Sequence, residues 1–306
     1  MNERAVAPRR VAIAGATGLI GRALSAALRE RGATIVTIGR RRADVQWDPG
    51  RGGLDPAPLE GLDAVVNLAG AQIGRRWTAV RKRAIRESRV RGTALIARAL
   101  ASCRNRPRVL VNASAVGYYG DAGDRVLTEA SPAGNDFLAG VTREWEAATA
   151  EAERAGIRVV MVRTGIVLSR EGGVIPPLLT PFRLGLGGPL GSGRQWMSWI
   201  GLHDLVRAIV FVMDHDVRGT VNAVAPEPVT NAAFTKTLAT VLHRPAVFRV
   251  PAFALRAVFG EMAQQTILAS QRAMPQRLLA AGFVFDEPTL EGAVRRALGA
   301  TRIVAE

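Results

Sequence analysis

Three glycines spaced three residues apart form the first part of the sequence with a recognisable chemical use. Gly15, Gly18 and Gly21 follow the short apolar run RVAIA at residues 10–14 and lead into an apolar helical pattern over residues 19–31. Glycines at this spacing let the backbone turn tightly and approach a pyrophosphate, and the N–H groups that open the following helix favour an anion. Because the motif lies between a strand and a helix, it predicts a dinucleotide-binding turn.

The end of the second predicted strand, residues 34–38, indicates which dinucleotide. NAD(H)-binding proteins usually have Asp or Glu there, which accepts hydrogen bonds from the adenosine ribose. This sequence has Gly39, Arg40, Arg41 and Arg42 instead, and an arginine fork matches a 2′-phosphate in charge and geometry. We therefore expect NADP(H), with Arg40 as its main contact; the alternative is a solvated turn.

A third predicted strand, residues 63–68, ends in a turn of small residues. Leu68, Ala69 and Gly70 form this turn. At the carboxyl edge of a parallel sheet such a turn borders the adenosine half of a dinucleotide, although any tight turn has a similar composition.

Few side chains near the predicted strand ends can transfer a proton. Ser114 follows a strand-like run at residues 108–112, and Tyr118 and Tyr119 are the only tyrosines. A hydroxyl at a strand end can hydrogen-bond a substrate carbonyl, and a tyrosine can exchange a proton with a substrate oxygen. Ser114 and Tyr118 are thus the candidate catalytic residues; the alternative is that both tyrosines pack within their loop.

Other polar residues are open to two interpretations. Glu129 and Asp136 would act as carboxylate bases or cap the next helix. His203 and Asp204 fit the start of a helix better than a catalytic pair.

Strand and helix patterns alternate through the first half of the chain. Helical patterns at residues 19–31, 77–102 and 136–155 separate strand-like runs, which end with residues 157–162. This alternation predicts an α/β fold, a Rossmann-type doubly wound parallel sheet.

The pattern becomes less regular after residue 163. Residues 172–193 are rich in Gly and Pro and predict a long functional loop, followed by helices at residues 205–213 and 231–242, a strand at 219–224 and a mostly helical tail. We expect a Rossmann domain over residues 1–225, including a substrate loop at 172–200, and a smaller, mostly helical C-terminal region over residues 226–306.

Four side chains beside these loops also have two interpretations. Trp196 and Trp199 would wall a substrate pocket or pack between the two halves of the chain, and Arg75 and Arg76 would bind an anionic substrate or lie in solvent.

Composition narrows the function classes. The 306 residues carry a net charge of +15, 48% hydrophobic residues and a single cysteine, Cys103. One cysteine and three scattered histidines predict no disulfide and no metal site, and a reducing cytoplasm is the expected location. Because the basic residues are spread along the chain, we expect a solvated basic surface with no nucleic-acid partner. No apolar run is long enough to span a bilayer, so we expect no membrane partner, and either a monomer or a homodimer.

The motifs GATGLIG, NLAG and SAVGYYG resemble the short-chain dehydrogenase/reductase superfamily in its extended, epimerase-like branch. Segments such as GGPLGSGRQWMSWI and GEMAQQTILASQRAMPQRLLAAGF are similar to an atypical family of bacterial proteins in that branch, with a C-terminal domain of unknown function. The resemblance implies a set of cofactor contacts: Gly15, Thr17, Gly18, Leu19 and Ile20 at the pyrophosphate, Gly39 and Arg40 at the ribose phosphate, Leu68 and Ala69 beside adenine, Arg89 reaching back to the cofactor, and Arg163 near the nicotinamide half. Gly21, which would let the helix lie close to the sheet, and Gly70 of the small-residue turn complete the predicted cofactor site.

The superfamily's catalytic pair is absent. Its hydride-transferring members use a Tyr and a Lys four residues apart, and at the matching positions this sequence has Phe137 and Val141. Ser114 matches the superfamily's serine, and Tyr118 is the remaining candidate acid/base. The resemblance implies an NADP(H)-dependent oxidoreductase or epimerase acting on a small polar, sugar-like substrate; the alternative is a non-catalytic NADP(H)-binding sensor or scaffold.

Overall fold

A seven-stranded parallel sheet forms the centre of the protein, which is described by a computed structural model over residues 10–50 and 52–299. The strands are β1 Arg10–Ala14, β2 Thr34–Gly39, β3 Val45–Gln46, β4 Ala64–Asn67, β5 Val109–Ala115, β6 Val126–Leu127, β7 Arg158–Thr164, β8 Ile166–Ser169, β9 Gly172–Gly173, β10 Trp196–Met197, β11 Trp199–Gly201, β12 Gly219–Ala223, β13 Val229–Thr230 and β14 Arg272–Ala273. The central order is β12-β7-β5-β4-β1-β2-β3. Strands β2 and β3 lie on one side of β1, and the strands from β4 onward lie on its other side. The carboxyl ends of β1 and β4 therefore border the crevice where this fold binds ligands.

Helices cover both faces of the sheet. They are α1 Leu19–Glu30, α2 Ala79–Ser102, α3 Phe137–Ala147, α4 Ala150–Arg154, α5 Ile175–Arg183, α6 Leu202–Asp214, α7 Asn231–Leu242, α8 Ala252–Phe259, α9 Gln276–Ala280 and α10 Leu290–Ala297. The predicted α/β Rossmann-type fold is confirmed. Short strand pairs join the later segments to one another, as where β10 pairs with β13, and the division after residue 225 stays a prediction.

Strand β1 shows why the sheet is buried on both faces. Val11 and Ile13 belong to a core that includes Leu24 of α1, whereas Ala12 and Ala14 belong to a second core that includes Leu100 of α2. Successive side chains of a strand point to opposite faces. A strand with helices on both faces therefore has an uninterrupted apolar sequence.

The predicted long loop at residues 172–193 is wrong in its middle. Residues 175–183 form helix α5, with proline in its first turn and with Ile175 and Phe182 buried. Proline at the start of a helix removes no internal hydrogen bond and presets φ. The proline content of residues 175–183 therefore led to the wrong prediction of a loop.

The C-terminal segment is anchored to α6 through Asp204. This side chain is fully buried and accepts hydrogen bonds from the backbone N–H groups of Asp286, at 3.1 Å, and Glu287, at 2.8 Å. It also accepts from Arg207 at 2.8 Å. His203 and Asp204 lie in the first turn of α6, as expected from the sequence.

Glu287 provides a pH-dependent prediction. Its side chain is 5% exposed and pairs with Arg296 at 2.9 Å, and burial, followed by the charge of Asp204, raises its pKa to about 7 from an ordinary value of 4.5. Because the folded pKa is the higher one, stability is lost as pH rises from 4.5 toward 7. We expect Glu287→Gln to raise the free energy of unfolding near pH ~8 by roughly 1–3 kcal/mol, and to change it little near pH ~4.

Urea unfolding at the two pH values measures this effect. Glu171→Gln, on an exposed carboxylate, is the matched control. A Glu287→Gln protein less stable than the parent at the higher pH would show that the pair with Arg296 outweighs the burial of the charge.

Candidate nucleotide-binding and active site

The glycine motif forms the turn between β1 and α1. Gly15 has φ +82°, and a Cβ there would lie 2.9 Å from the backbone carbonyl carbon and oxygen of Leu68. A Cβ on Gly21 would overlap the carbonyl oxygen of Gly15, and Gly18 donates its N–H to the same oxygen at 3.0 Å. The turn thus packs β1, α1 and the end of β4 more closely than any residue with a side chain would allow.

The first turn of α1 is suited to an anion. Its N-cap, Gly18, makes no side-chain capping bond, and no acidic residue lies in this turn. Thr17 and Gly18 are exposed, Ile20 packs against the core, and Leu19 contacts Gly172 at the start of β9. The N–H groups at a helix start that no side chain caps are a ready site for phosphate.

The end of β2 is positively charged in space as well as in sequence. Arg40 and Arg41 are exposed after Gly39, and among the residues that the structure describes no carboxylate pairs with them. The nearby Asp44 instead accepts hydrogen bonds from the N–H and hydroxyl of Thr37, at 2.8 and 2.7 Å, and these bonds lower its pKa. The carboxylate of this turn is therefore directed back toward its own strand.

Asn67 shapes the turn after β4 and was not singled out from the sequence. Its amide donates to Thr93 at 2.8 Å and to Asn112 at 2.7 Å, while its oxygen accepts from the N–H of Ala69 at 3.2 Å. Asn67 is 1% exposed. It ties β4, β5 and α2 to the turn of Leu68, Ala69 and Gly70, but its partners are too distant in sequence to signal this role.

Arg89 of α2 lies directly beside this turn. Its guanidinium carbon would be 3.1 Å from a Cβ on Gly70, and it donates to the carbonyls of Ala71 and Ile85 at 3.0 and 3.1 Å. No described carboxylate pairs with it, and burial lowers its pKa to about 10. Because a half-buried cation without a counter-ion is costly, we expect Arg89 to bind an anion.

A buried ion pair joins the end of β7 to α3. Arg163 binds both oxygens of Glu146, on α3, at 2.8 Å, and the two side chains are only 4% and 12% exposed. Ser114 donates its hydroxyl proton to the same carboxylate at 2.6 Å. Since that proton is used within the protein, direct contact of Ser114 with a substrate stays a prediction.

Both tyrosines contact the Arg163 guanidinium, and their rings meet edge to face with centroids 5.3 Å apart. Its carbon is 3.3 Å from the ring centroid of Tyr118, and its Nη1 donates to the hydroxyl of Tyr119 at 3.1 Å. Tyr119 is 2% exposed and donates to the side chain of Asn222, and burial raises its pKa. Tyr118 is half-buried, and no residue within the described ranges hydrogen-bonds its hydroxyl. Tyr118 is therefore the tyrosine with a free acid/base group.

Arg163 was expected near the nicotinamide half. Its guanidinium pairs with Glu146, donates to Tyr119 and stacks on Tyr118. Any influence of Arg163 on a bound ligand would therefore pass through these side chains. Glu146 was not found from the sequence, because nothing distinguishes it from the other glutamates of its helix.

Phe137 and Val141, at the positions of the missing catalytic pair, lie in an apolar cluster. The Phe137 ring meets Trp77 edge to face with centroids 5.3 Å apart, and Met262 from the C-terminal segment belongs to the same cluster. The ammonium of Lys82 lies 4.4 Å from the Phe137 ring centroid, where it pairs with Glu261. Apolar packing therefore fills the place of a Tyr–Lys pair.

The two candidate carboxylate bases have structural partners. Asp136 caps α3 by accepting from Ala139 at 2.8 Å, and burial raises its pKa. Glu129 accepts from the backbone N–H of Asn222 at 2.9 Å. Both therefore hold backbone in place.

The two tryptophans differ from each other in burial and in contacts, and so do the neighbouring arginines Arg75 and Arg76. Trp199 is fully buried and donates to the carbonyl of Glu227, whereas Trp196 is half-buried, donates to Asp124 and stacks on Arg272 at 4.2 Å. Arg76 donates to the carbonyl of Ala257 at 2.7 Å, and Arg75 is exposed.

Comparisons with known proteins agree with this geometry. Residues 11–225 match the NAD dependent epimerase/dehydratase family, and residues 250–297 match a domain of unknown function, DUF1731. The chain is 46% identical over 286 residues to "Epimerase family protein Mb2239" of Mycobacterium bovis, covering 92% of this chain and 94% of that one.

Two solved structures are similar over nearly all of the chain. Human epimerase family protein SDR39U1, crystallised with NADPH, has a TM-score of 0.87 and 35% identity, with 95% of this chain and 100% of that one covered. A nucleoside-diphosphate sugar epimerase from Corynebacterium glutamicum has a TM-score of 0.78 and 38% identity, with 95% and 58% covered.

Proposed function

This chain belongs to the NAD-dependent epimerase/dehydratase family, and on that basis we propose that it binds NADP(H) along the carboxyl edge of its sheet. The main supporting observation is the placement of unpaired arginines around a close glycine turn. Gly15 and Gly21 bring β1, α1 and the turn after β4 close together, and Gly18 begins α1 without a side-chain cap, where a pyrophosphate would bind. Arg40 is exposed at the end of β2, where it would meet the ribose phosphate, and Arg89 lies beside the turn after β4.

The charges at the end of β2 favour NADP(H) over NAD(H). An NAD(H) site has a carboxylate to accept from the ribose hydroxyls, and a 2′-phosphate would be repelled by it. Here Asp44 is hydrogen-bonded to Thr37 and Arg40 is exposed beside Gly39. The similarity to the human protein crystallised with NADPH supports the same choice.

We propose further that the protein is an epimerase-like oxidoreductase acting on a small polar, sugar-like substrate. Bound NADP(H) supplies or accepts a hydride. Tyr118 would exchange a proton with the substrate oxygen, because its hydroxyl has no partner within the described residues. The Arg163 guanidinium stacks on its ring, 3.3 Å from the centroid, and would hold the ring in position. Ser114 and Glu146 would hold Arg163 in this position.

A second candidate function is a non-catalytic NADP(H)-binding sensor or scaffold. The observation in its favour is the apolar cluster around Phe137 and Val141, which places no proton carrier at the usual position. The two candidates share the cofactor and differ in what Tyr118 does.

A titration with NADPH and NADH, followed by tryptophan fluorescence, tests the cofactor proposal. We expect NADPH to bind more tightly, and Arg40→Ala to weaken NADPH by about 10- to 30-fold while leaving NADH nearly unchanged, because one charge-assisted contact is lost. Arg143→Ala, at an exposed arginine of α3, is the matched control. Equal affinity of the parent for both cofactors would overturn the 2′-phosphate argument.

Turnover separates the two candidate functions. NADPH consumption is followed with a panel of small polar carbonyl compounds, for the parent and for Tyr118→Phe. Consumption that is lost in Tyr118→Phe, with NADPH affinity retained, supports the oxidoreductase. Tight NADPH binding without consumption across the panel favours the sensor.

A further inference from the structure

Two segments on the C-terminal side of the sheet pair with each other at the surface. Phe248 donates its N–H to the carbonyl of Gly187 at 3.2 Å, and Val250 donates to Pro189 at 3.0 Å. A Cβ on Gly188 would overlap the carbonyl oxygen of Phe248, so the two backbones are in direct contact. Residues 183–191 and 244–253 therefore form one continuous surface element.

Large apolar side chains project from this element into solvent. Leu184 is 68% exposed, Leu186 54%, Val247 74% and Phe248 55%, and Phe253 at the start of α8 is 73% exposed. We call these five residues the apolar patch. Single exposed apolar residues are common, but several on two adjoining segments indicate a surface that another molecule covers.

The charged residues in the two segments that carry the apolar patch have one sign. Residues 172–203 and 228–260 contain no Asp or Glu, yet they include Arg183, Arg244 and Arg249. Arg183 and Arg249 are exposed, and within the described ranges no carboxylate pairs with these three arginines. The partner of the apolar patch should therefore be negatively charged as well as apolar.

A groove of about 650 Å³ adjoins the apolar patch. It is lined by Pro189 and Arg244 from the paired segments and by Lys236, Thr240 and His243 from α7 and its end. Two cations, an imidazole and a hydroxyl provide hydrogen-bond donors for a phosphate group.

We propose that this surface docks on an anionic phospholipid bilayer, with the apolar patch entering the headgroup boundary and the arginines and groove binding lipid phosphates. Apolar side chains among Arg and Lys are the usual composition of a protein surface that lies on a membrane. A second copy of this chain would bring like charges together, and aliphatic Leu184, Leu186 and Val247 do not suit nucleic acid.

Docking of this kind is peripheral. No helix in the described part of the chain is long and apolar enough to cross a bilayer. The proposal departs from the sequence-based expectation of no membrane partner, because the sequence does not show which apolar residues are exposed together. It is independent of the proposed oxidoreductase activity.

Vesicle flotation with the full chain tests the proposal. We expect binding to phosphatidylcholine vesicles that contain about a third phosphatidylglycerol, weak binding to phosphatidylcholine alone, and loss of binding at high salt. Leu186→Ser with Phe248→Ser, and separately Arg183→Glu with Arg249→Glu, should each weaken binding by about tenfold or more.

Matched controls separate a specific surface from general basicity. Val80→Ser changes an apolar residue that is 78% exposed outside the apolar patch, and Arg143→Glu changes an exposed arginine of α3; both should retain binding. Failure to bind the anionic vesicles, or equal loss in Arg143→Glu, would overturn the proposal. A dimer that the Leu186→Ser, Phe248→Ser protein no longer forms would also overturn it, by assigning the apolar patch to self-association.

Discussion

Replacing Glu146 by Ala is expected to lower the free energy of unfolding by roughly 3–5 kcal/mol, the range for breaking a buried pair from one side. Arg163 would keep its charge at a position where only 4% of its side chain is exposed, and it would lose both of its 2.8 Å bonds to the carboxylate. Ser114 would lose its acceptor at 2.6 Å. The loss therefore combines an unpaired buried cation with an unsatisfied hydroxyl.

Glu144→Ala is the matched control for this prediction. It lies two residues earlier on α3 and binds Arg86 as closely, at 2.6 Å, but its side chain is 41% exposed. Exposed pairs contribute about 0–1 kcal/mol. Urea unfolding measures the free energy of unfolding that each variant loses. Because the two ion pairs have similar lengths and differ in burial, a similar loss in both variants would contradict the buried-pair argument.

A double variant keeps the argument open to test if Glu146→Ala does not fold. Glu146→Leu with Arg163→Met replaces both charges by apolar groups, which is often close to neutral for a buried pair. We expect it to be more stable than Glu146→Ala. A double variant as unstable as the single one would mean that the hydrogen bond of Arg163 to Tyr119 and its stacking on Tyr118 contribute most of the stability.

Local patterns predicted much of the fold because they depend on neighbouring residues. The run RVAIA forms β1 over Arg10–Ala14, and Asn231–Leu242 forms α7 with the predicted bounds. The predicted helix at residues 136–155 is instead split into α3 and α4, because Ala148 and Thr149 end the first helix. Helix α5 was missed because its prolines favour loops, although proline is favourable in the first turn of a helix and only Pro181 lies further inside this one.

Residues that position the site could not be predicted, since their partners lie far along the chain. Asn67 meets Thr93 and Asn112, and Glu146 meets Ser114, only after the sheet has formed. The sequence did indicate that Phe137 and Val141 replace the usual catalytic pair. It gave no indication that Met262 from the C-terminal segment packs in the same apolar cluster.

This contact bears on how the site is used. The C-terminal segment packs against the part of α3 that carries Phe137 and Val141, through Met262 and through Gln265, whose side-chain oxygen accepts from the N–H of Leu138. We therefore expect proton transfer at this site to use Tyr118, which stacks on Arg163.

Arg89→Met is expected to have opposite effects on stability and on cofactor binding. Without an anion, Arg89 is a half-buried cation with no carboxylate partner among the described residues, and burial lowers its pKa to about 10. Because the folded pKa is the lower one, the protonated form is penalised at neutral pH. We expect Met, with a similar apolar stem, to raise the free energy of unfolding of the free protein by about 1 kcal/mol, after the loss of two carbonyl hydrogen bonds is included.

The same variant should weaken NADPH by about 30-fold or more, since losing one partner of a buried charge pair costs about 2 kcal/mol or more. Arg86→Met, one turn earlier on α2 and 59% exposed, should leave NADPH affinity unchanged. Thermal unfolding with and without NADPH, together with the fluorescence titration, measures both effects. Lower stability with unchanged affinity would show instead that Arg89 serves only to hold the carbonyls of Ala71 and Ile85. An opposite change in the two quantities is what a cation reserved for a bound phosphate requires, because its charge is compensated only when the cofactor is present.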